Sequence, residues 1–131
     1  MCLAQVKRHR MTVLQNSAMQ NELIVYGIPN CDAVKKSRVW LDAQGKAYRF
    51  HDFKKEGVPD IALDLWVNAL GWEALINKKG TTWRKLNPAA QEAVIDAQSA
   101  MRLMQEEPSV IKRPVVMHAD WVTVGYTPEK W

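Results

Sequence analysis

The sequence contains few of the residues that build metal sites or disulfide frameworks, and it has no long hydrophobic run. The 131 residues include only 2 cysteines and 3 histidines, and His9, His51 and His118 are scattered along the chain. Zinc needs about four closely arranged ligands, so we expect no metal site. The low cysteine count favours a reducing compartment. Because no segment approaches the roughly 18 apolar residues of a membrane span, we predict a soluble, cytoplasmic chain with no membrane partner.

Basic residues are clustered only near the start of the sequence, at Lys7, Arg8 and Arg10. The formal net charge is +4, from 18 Lys and Arg against 14 Asp and Glu, and Lys7, Arg8 and Arg10 account for most of the excess. The remaining basic residues are dispersed, which does not predict a nucleic-acid surface. A composition of 47% hydrophobic and 24% charged residues predicts one globular domain, which we expect to be monomeric.

The first 22 residues show no period that supports a helix or a strand. They contain alternative initiation sites at Met11 and Met19, and such a lead is typical of a poorly ordered extension. We therefore predict an N-terminal extension over residues 1–22, in which Cys2 has no role, and a single domain over residues 23–131.

The ordered part of the sequence begins with a β–α–β pattern. Residues 23–27, LIVYG, form a short apolar run typical of a buried strand, and the turn residues IPNCD follow. Helical spacing then runs from Ala33 until Gly45, and alternation predicts a second strand over residues 47–52. A connection of this size predicts a parallel pair of strands.

The rest of the sequence predicts helices followed by a hairpin. A helix beginning at Pro59-Asp60 has one apolar face, predicted to contain Ile61, Leu65, Trp66, Ala69 and Leu70. Short helices follow on either side of Gly80, and a longer helix is predicted from Pro88 until Pro108. Residues 114–118 and 121–125 predict two strands of a hairpin. The order favours a thioredoxin-like α/β fold, a four-stranded mixed sheet with an inserted helical subdomain.

Cys31 is the best candidate for a reactive residue. It lies between the first strand and the first helix, where unpaired backbone N–H groups and the helix dipole stabilise a thiolate. Either Lys35 or Lys36 can add positive charge that stabilises the thiolate, whereas the carboxylate of Asp32 destabilises it. A buried, inert cysteine is the alternative, but the flanking turn residues favour an activated thiol.

The segment IKRPVV (residues 111–116) is the second candidate. Pro114 precedes a strand and is a candidate for a cis peptide bond. In a thioredoxin-like sheet this segment would lie beside Cys31, so that Arg113 could bind a carboxylate or oxyanion through its fork. Arg113 could equally be a solvated residue at the start of the strand, and the spacing alone does not decide between the two.

Three segments of the sequence together resemble one family. IVYGIPNCDAVKKSRVWLDAQGKAYRFHDF, GWEALINKKGTTWRKL and IKRPVV are similar to the arsenate reductase (ArsC)-related proteins, in the YffB branch near Spx. The resemblance covers residues 23–131. It implies a thioredoxin-like fold, a nucleophilic Cys31, a cis Pro114 close to it, and an oxyanion-binding Arg113.

The sequence departs from the family's pattern in ways that bear on activity. Arsenate reductases of this type have two further arginines at the oxyanion, where this sequence has Asn77 and either Tyr126 or Thr127. Spx has a second cysteine three residues after the first, where this sequence has Val34. An internal disulfide switch is therefore not expected, and a single thiolate needs an external thiol to complete a cycle.

These features together predict a glutathione-dependent thiol reductase with Cys31 as nucleophile. No bound cofactor is expected; glutathione is the expected co-substrate, and a glutaredoxin or a disulfide-containing protein is a further candidate partner. Arg113, together with either Lys35 or Lys36, would contact glutathionyl carboxylates, while Asn30 and Asn77 are either ligand contacts or simple turn residues. The alternatives are an Spx-like protein-binding regulator, for which the 6 Trp could supply a contact face, and a residual arsenate reductase.

Overall fold

A four-stranded sheet forms the centre of the computed structural model, which describes residues 22–131. The strands are β1 (Leu23–Gly27), β2 (Tyr48–Asp52), β3 (Val115–His118) and β4 (Trp121–Val124). Their order in the sheet is β2-β1-β3-β4. β1 and β2 are parallel, whereas β3 is antiparallel to both β1 and β4. This mixed sheet confirms the predicted architecture, with a parallel pair first and an antiparallel hairpin last.

A helix connects the two parallel strands, as the sequence predicts. Helix α1 (Asp32–Ala43) buries Val34, Ser37 and Leu41, which recur at three- and four-residue spacing and so share one face. That face packs very close to the sheet. A Cβ atom on Gly27 would come within 2.6 Å of a Val34 methyl carbon, so glycine at the end of β1 is what permits this approach.

The inserted subdomain between β2 and β3 consists of six short α-helices and a 3-10 turn. The helices are α2 (Phe53–Glu56), α3 (Asp60–Leu70), α4 (Trp72–Leu75), α5 (Thr81–Lys85), α6 (Pro88–Glu92) and α7 (Ala97–Glu106), and the 3-10 turn is Pro108–Val110. The sequence did not predict α2. Its Asp52 N-cap accepts a hydrogen bond from the Lys54 N–H, a local signal for a helix start that follows directly on a strand.

The apolar face predicted for α3 is wrong in part. Ile61 is 77% exposed and Leu65 is 49% exposed, and Ala69 on the same face is exposed as well. The buried residues are instead Ala62, Leu63 and Trp66. The helix carries apolar residues on several sides, so the pattern alone does not select the buried one. The large ring of Trp66 determines which side of α3 is buried, because it packs against Tyr26 with ring centroids 4.7 Å apart.

The single helix predicted from Pro88 until Pro108 is also wrong, because two helices, α6 and α7, occupy this region. Asp96 is the N-cap of α7 and forms a capping box with Ser99. These local hydrogen bonds begin a new helix where the hydrophobic pattern would continue the old one. Ile95, predicted to be an apolar core position of the single helix, is 75% exposed at the break.

The predicted extension, together with Cys2, lies outside the described residues except for Glu22. Within residues 22–131, no helix is long and apolar enough to cross a membrane. In the same range, no group of three or more His, Cys, Asp or Glu side chains is placed to hold a metal ion.

Candidate active site

Three loops meet at one end of the sheet. Tyr26, near the carboxyl end of β1, pairs with Val115 at the start of β3. Val115 in turn pairs with Val124 at the end of β4. The loop after β1, the segment before β3 and the turn after β4 therefore lie side by side, and they carry Cys31, Arg113 and Tyr126, respectively.

Cys31 is the N-cap residue of α1, with an extended backbone conformation. Its N–H donates to the Ile28 carbonyl at 3.2 Å, and its carbonyl accepts from the Lys35 N–H at 2.9 Å. The thiol is thus fixed at the first turn of a helix, as the sequence predicts. The residue is only partly buried.

Arg113 lies beside the thiol rather than in solvent. Its Nη1 donates to the carbonyls of Ser109 at 2.8 Å and Ile111 at 3.3 Å, so the side chain is anchored by its own preceding turn. Within the described residues its Nε is buried and has no hydrogen-bond partner. The guanidinium is also near enough to the Cys31 thiol to lower its pKa. Of the two roles that the sequence left open, the structure places Arg113 at the cysteine.

The surroundings of Cys31 lower the pKa of its thiol. Partial burial is the largest single influence and raises the pKa, because it disfavours the charged thiolate. The hydrogen bond from Arg113, the N–H groups of Val34 and Ala33, and the positive charge of Arg113 all lower it, and together they prevail. A lowered thiol pKa increases the thiolate population, which is the nucleophilic form.

Pro114 follows Arg113 through a cis peptide bond, as the resemblance implies. It is buried, and its carbonyl accepts a hydrogen bond of 2.8 Å from the N–H of Gly125. This bond ties the segment before β3 to the turn after β4. Pro114 thereby holds two of the three loops of the site together.

The remaining predicted site residues divide into two groups. Asn30, Lys35 and Lys36 are exposed close to Cys31 in the chain, and their contacts with a ligand stay a prediction. Asn77 lies in the turn between α4 and α5, where its Oδ1 accepts from the Lys79 N–H at 3.2 Å. That contact is the turn chemistry that the sequence left open as an alternative to ligand binding.

Asn77 nevertheless lies next to the segment that carries Arg113. Its N–H donates to the Val110 carbonyl at 2.8 Å, and the Lys112 N–H donates to the Leu75 carbonyl at 2.7 Å. These bonds surround the isolated bridge between Ile76 and Ile111. The helical subdomain is thus joined to the Arg113 segment by backbone hydrogen bonds.

Sequence reasoning did not single out Lys112 or Gly125 as site residues. Lys112 stands in the IKRPVV motif, and its side chain extends over Gly125, which has a positive φ of 89°. The only signal in the sequence was the position of Gly125 directly after a predicted strand. The contact itself joins two distant segments, so local patterns do not reveal it.

The family model named "ArsC family" matches residues 26–131 of this chain. The chain belongs to the ArsC family. Among solved structures, one named YffB protein has 42% sequence identity and a TM-score of 0.78, and the match covers 82% of this chain and 94% of that one. An arsenate reductase (ArsC) related protein from Brucella melitensis has 43% identity and a TM-score of 0.67, covering 83% of this chain and 90% of that chain. These similarities confirm the thioredoxin-like fold and the affinity to YffB.

Curated relatives of this ArsC-family chain include proteins of different kinds. An uncharacterized protein of Haemophilus influenzae is 32% identical over 109 residues, covering 83% of this chain and 95% of that protein. The global transcriptional regulator Spx of Enterococcus faecalis is 24% identical over 110 residues, covering 82% of each. The proteins similar to this chain therefore include one named as arsenate reductase related and others named as transcriptional regulators.

Proposed function

We propose that this ArsC-family protein is a thiol-disulfide oxidoreductase that uses Cys31 as its single nucleophile and glutathione as its reductant. The observation that carries the proposal is the position of Cys31 at the start of α1, where Arg113 and the first-turn N–H groups lower the pKa of its thiol. Both stabilise a thiolate at the end of the sheet, and the partly exposed residue leaves room for attack.

The chemistry consists of two successive thiol-disulfide exchanges. The Cys31 thiolate attacks one sulfur of a substrate disulfide, the S–S bond breaks, and the other sulfur leaves as a thiolate. One glutathione thiolate then attacks the mixed disulfide and releases one partner, and a second glutathione resolves the remaining glutathionyl disulfide. Two glutathiones are oxidised to one disulfide, and the substrate gains two electrons and two protons.

Within residues 22–131, Cys31 has no second cysteine beside it, which favours an external thiol over an internal one. Val34 occupies the position one helical turn after Cys31, and its side chain is completely buried. Cys31 is also the one free cysteine among the described residues. The guanidinium of Arg113 and the ammonium groups of Lys35 and Lys36 are suited to bind the carboxylates of glutathione.

The test is the alkylation rate of Cys31 against pH, measured in a Cys2→Ser background. Because the alkylated form is the thiolate, the rate should rise with a midpoint below the ~8.5 of a free cysteine. Incubation with oxidised glutathione should then add one glutathionyl group by intact mass, and reduced glutathione should remove it. A normal midpoint together with no adduct would overturn the proposal.

Variants at Arg113 separate its contribution from that of the helix. Arg113→Gln removes the positive charge, so the midpoint should move upward and the rate at neutral pH should fall. Arg113→Lys retains a charge and should show a smaller change. Arg84→Gln is the matched control, because Arg84 is an exposed arginine on α5 and should leave the profile unchanged.

A protein-binding role is a second candidate, favoured by the exposed apolar side of α3. Ile61 and Leu65 are 77% and 49% exposed one helical turn apart, which is more apolar surface than a solvent-facing helix needs. The relatives named as Spx regulators make such a role worth testing. Complementation by a Cys31→Ser variant in cells lacking the protein would favour binding, and loss of function would favour the enzyme.

Arsenate reduction is a third activity that a direct assay can decide. The positions of two family arginines are occupied by Asn77 and by Tyr126 or Thr127, none of which carries a positive charge. We expect no reduction of arsenate when glutathione and glutaredoxin are supplied. Arsenite formation that depends on Cys31 would contradict this expectation.

A further inference from the structure

Two exposed lysines from separate segments meet at the turn that follows β4. The Lys36 Nζ of α1 lies 5.3 Å from the centroid of the Tyr126 ring. Lys112 extends over the neighbouring Gly125, where a Cβ atom would lie 3.3 Å from its Cε and 3.8 Å from its Nζ. The absence of a side chain at Gly125 therefore lets the Lys112 stem lie against the turn.

This turn is connected to the Cys31 site on two sides, through the Arg113-Pro114 segment and through α1. The Gly125 N–H donates to the Pro114 carbonyl, and Pro114 follows Arg113, whose guanidinium is near enough to the Cys31 thiol to lower its pKa. On the other side, Lys36 stands on α1, the helix that begins directly after Cys31. Both lysines are thus held at the same end of the sheet as the nucleophile.

The charges of these lysines are not neutralised within the described part of the chain. The ion pairs there join Arg49 to Glu22 and His51 to Glu56, and neither involves Lys36 or Lys112. The acidic side chains on the adjoining segments are Asp32 at the start of α1 and Glu129 after the turn, both exposed. Lys35, Lys36, Lys112 and Arg113 outnumber them, so the segments around the Gly125-Tyr126 turn carry more positive than negative charge.

We propose that Lys36 and Lys112, placed at the Gly125-Tyr126 turn, make the site selective for disulfides whose leaving thiol carries carboxylates. This inference rests on the thiol-transfer function proposed above. When the Cys31 thiolate attacks, the electron pair of the broken S–S bond passes to the leaving sulfur, and the lysines attract the anionic group attached to it. Exposed charges of this kind raise the association rate in a salt-dependent manner.

The test compares two aromatic disulfide probes in the Cys2→Ser background. One probe is the dianionic 5,5′-dithiobis(2-nitrobenzoate), and the other is the neutral 4,4′-dithiodipyridine. Each forms a disulfide with Cys31 and releases one absorbing product, the thionitrobenzoate dianion or the neutral 4-thiopyridone, so each second-order rate is read by absorbance. The quantity of interest is the ratio of the anionic-probe rate to the neutral-probe rate, in which any change in thiolate population cancels.

Lys36→Gln and Lys112→Gln should each lower this ratio by about two- to fivefold, the range of an exposed charge interaction. Added salt should lower the ratio of the parent protein towards that of the variants. Lys36→Arg should retain the ratio. The matched control is Lys46→Gln, which removes a lysine that lies 6.0 Å from the Trp40 ring at the opposite end of the sheet, and it should leave the ratio unchanged.

Two results are separable in this experiment. A ratio that is the same in the parent protein, Lys36→Gln and Lys112→Gln would overturn the selectivity inference, whatever the absolute rates. The rate with the neutral probe, compared with that of free glutathione at the same pH, reports instead on the reactivity of Cys31. A neutral-probe rate no faster than the rate of free glutathione would count against the proposed thiol-transfer function. The ratio of the two probe rates would still report separately on the selectivity inference.

Discussion

Two leucines on α3 allow a matched test of which side of this helix is buried. Leu63 is completely buried, whereas Leu65 is 49% exposed. Both stand in the same helix, so Leu63→Ala and Leu65→Ala change helix propensity equally. Any difference between the two variants therefore reports on burial and packing.

The size of each effect follows from the exposure of each side chain. Leu63→Ala removes three carbon atoms from a packed core that includes Trp66 and Phe53, so it loses transfer free energy and leaves a cavity. Such substitutions cost about 2–5 kcal/mol in the free energy of unfolding. Leu65→Ala removes a side chain that is already half in water and leaves no cavity, so about 1 kcal/mol or less is expected.

Urea denaturation followed by tryptophan fluorescence measures both variants against the parent protein. The free energy of unfolding is extrapolated linearly, and equal m-values would show that the same surface is exposed in each case. We expect Leu63→Ala to be the less stable variant by about 2 kcal/mol or more. Equal losses, or a larger loss for Leu65→Ala, would refute the placement of α3 and favour the face expected from the sequence.

Two further predictions concern the packing of α1 and the start of α7. Gly27→Ala places a methyl group 2.6 Å from a carbon of the buried Val34, so it should cost about 1–3 kcal/mol in urea denaturation, and a double variant with Val34→Ala should recover part of the loss; no loss in the single variant would contradict the close approach. Hydrogen bonds from the Ser99 N–H and hydroxyl lower the pKa of the Asp96 carboxyl. The ionised carboxylate therefore stabilises the folded protein at pH values above the carboxyl pKa of the unfolded chain. This stabilisation is lost as the pH falls through the lower carboxyl pKa of the folded protein. Thermal melts should therefore show Asp96→Ala less stable than the parent at neutral pH and similar to it in strong acid, and a difference that does not change with pH would refute the role of the charge.

The sequence by itself determined the features that depend on near neighbours in the chain. The apolar run of β1, the turn residues after it and the helical spacing beyond them place Cys31 at the start of α1 without any distant contact. The hairpin of β3 and β4 follows from two short β-branched runs around Ala119-Asp120 for the same reason. The ArsC resemblance likewise rested on short continuous segments, residues 24–53, 71–86 and 111–116.

Tertiary structure decided the features that depend on packing between distant segments. Trp66 selects the buried side of α3 by fitting against Tyr26, which the apolar pattern of α3 does not encode. Arg113 reaches Cys31 because β1 and β3 pair side by side, and Lys36 reaches Tyr126 because β4 ends at the same edge. A one-dimensional pattern records spacing along the chain, whereas these contacts depend on strand order and register, which arise only when the sheet is assembled.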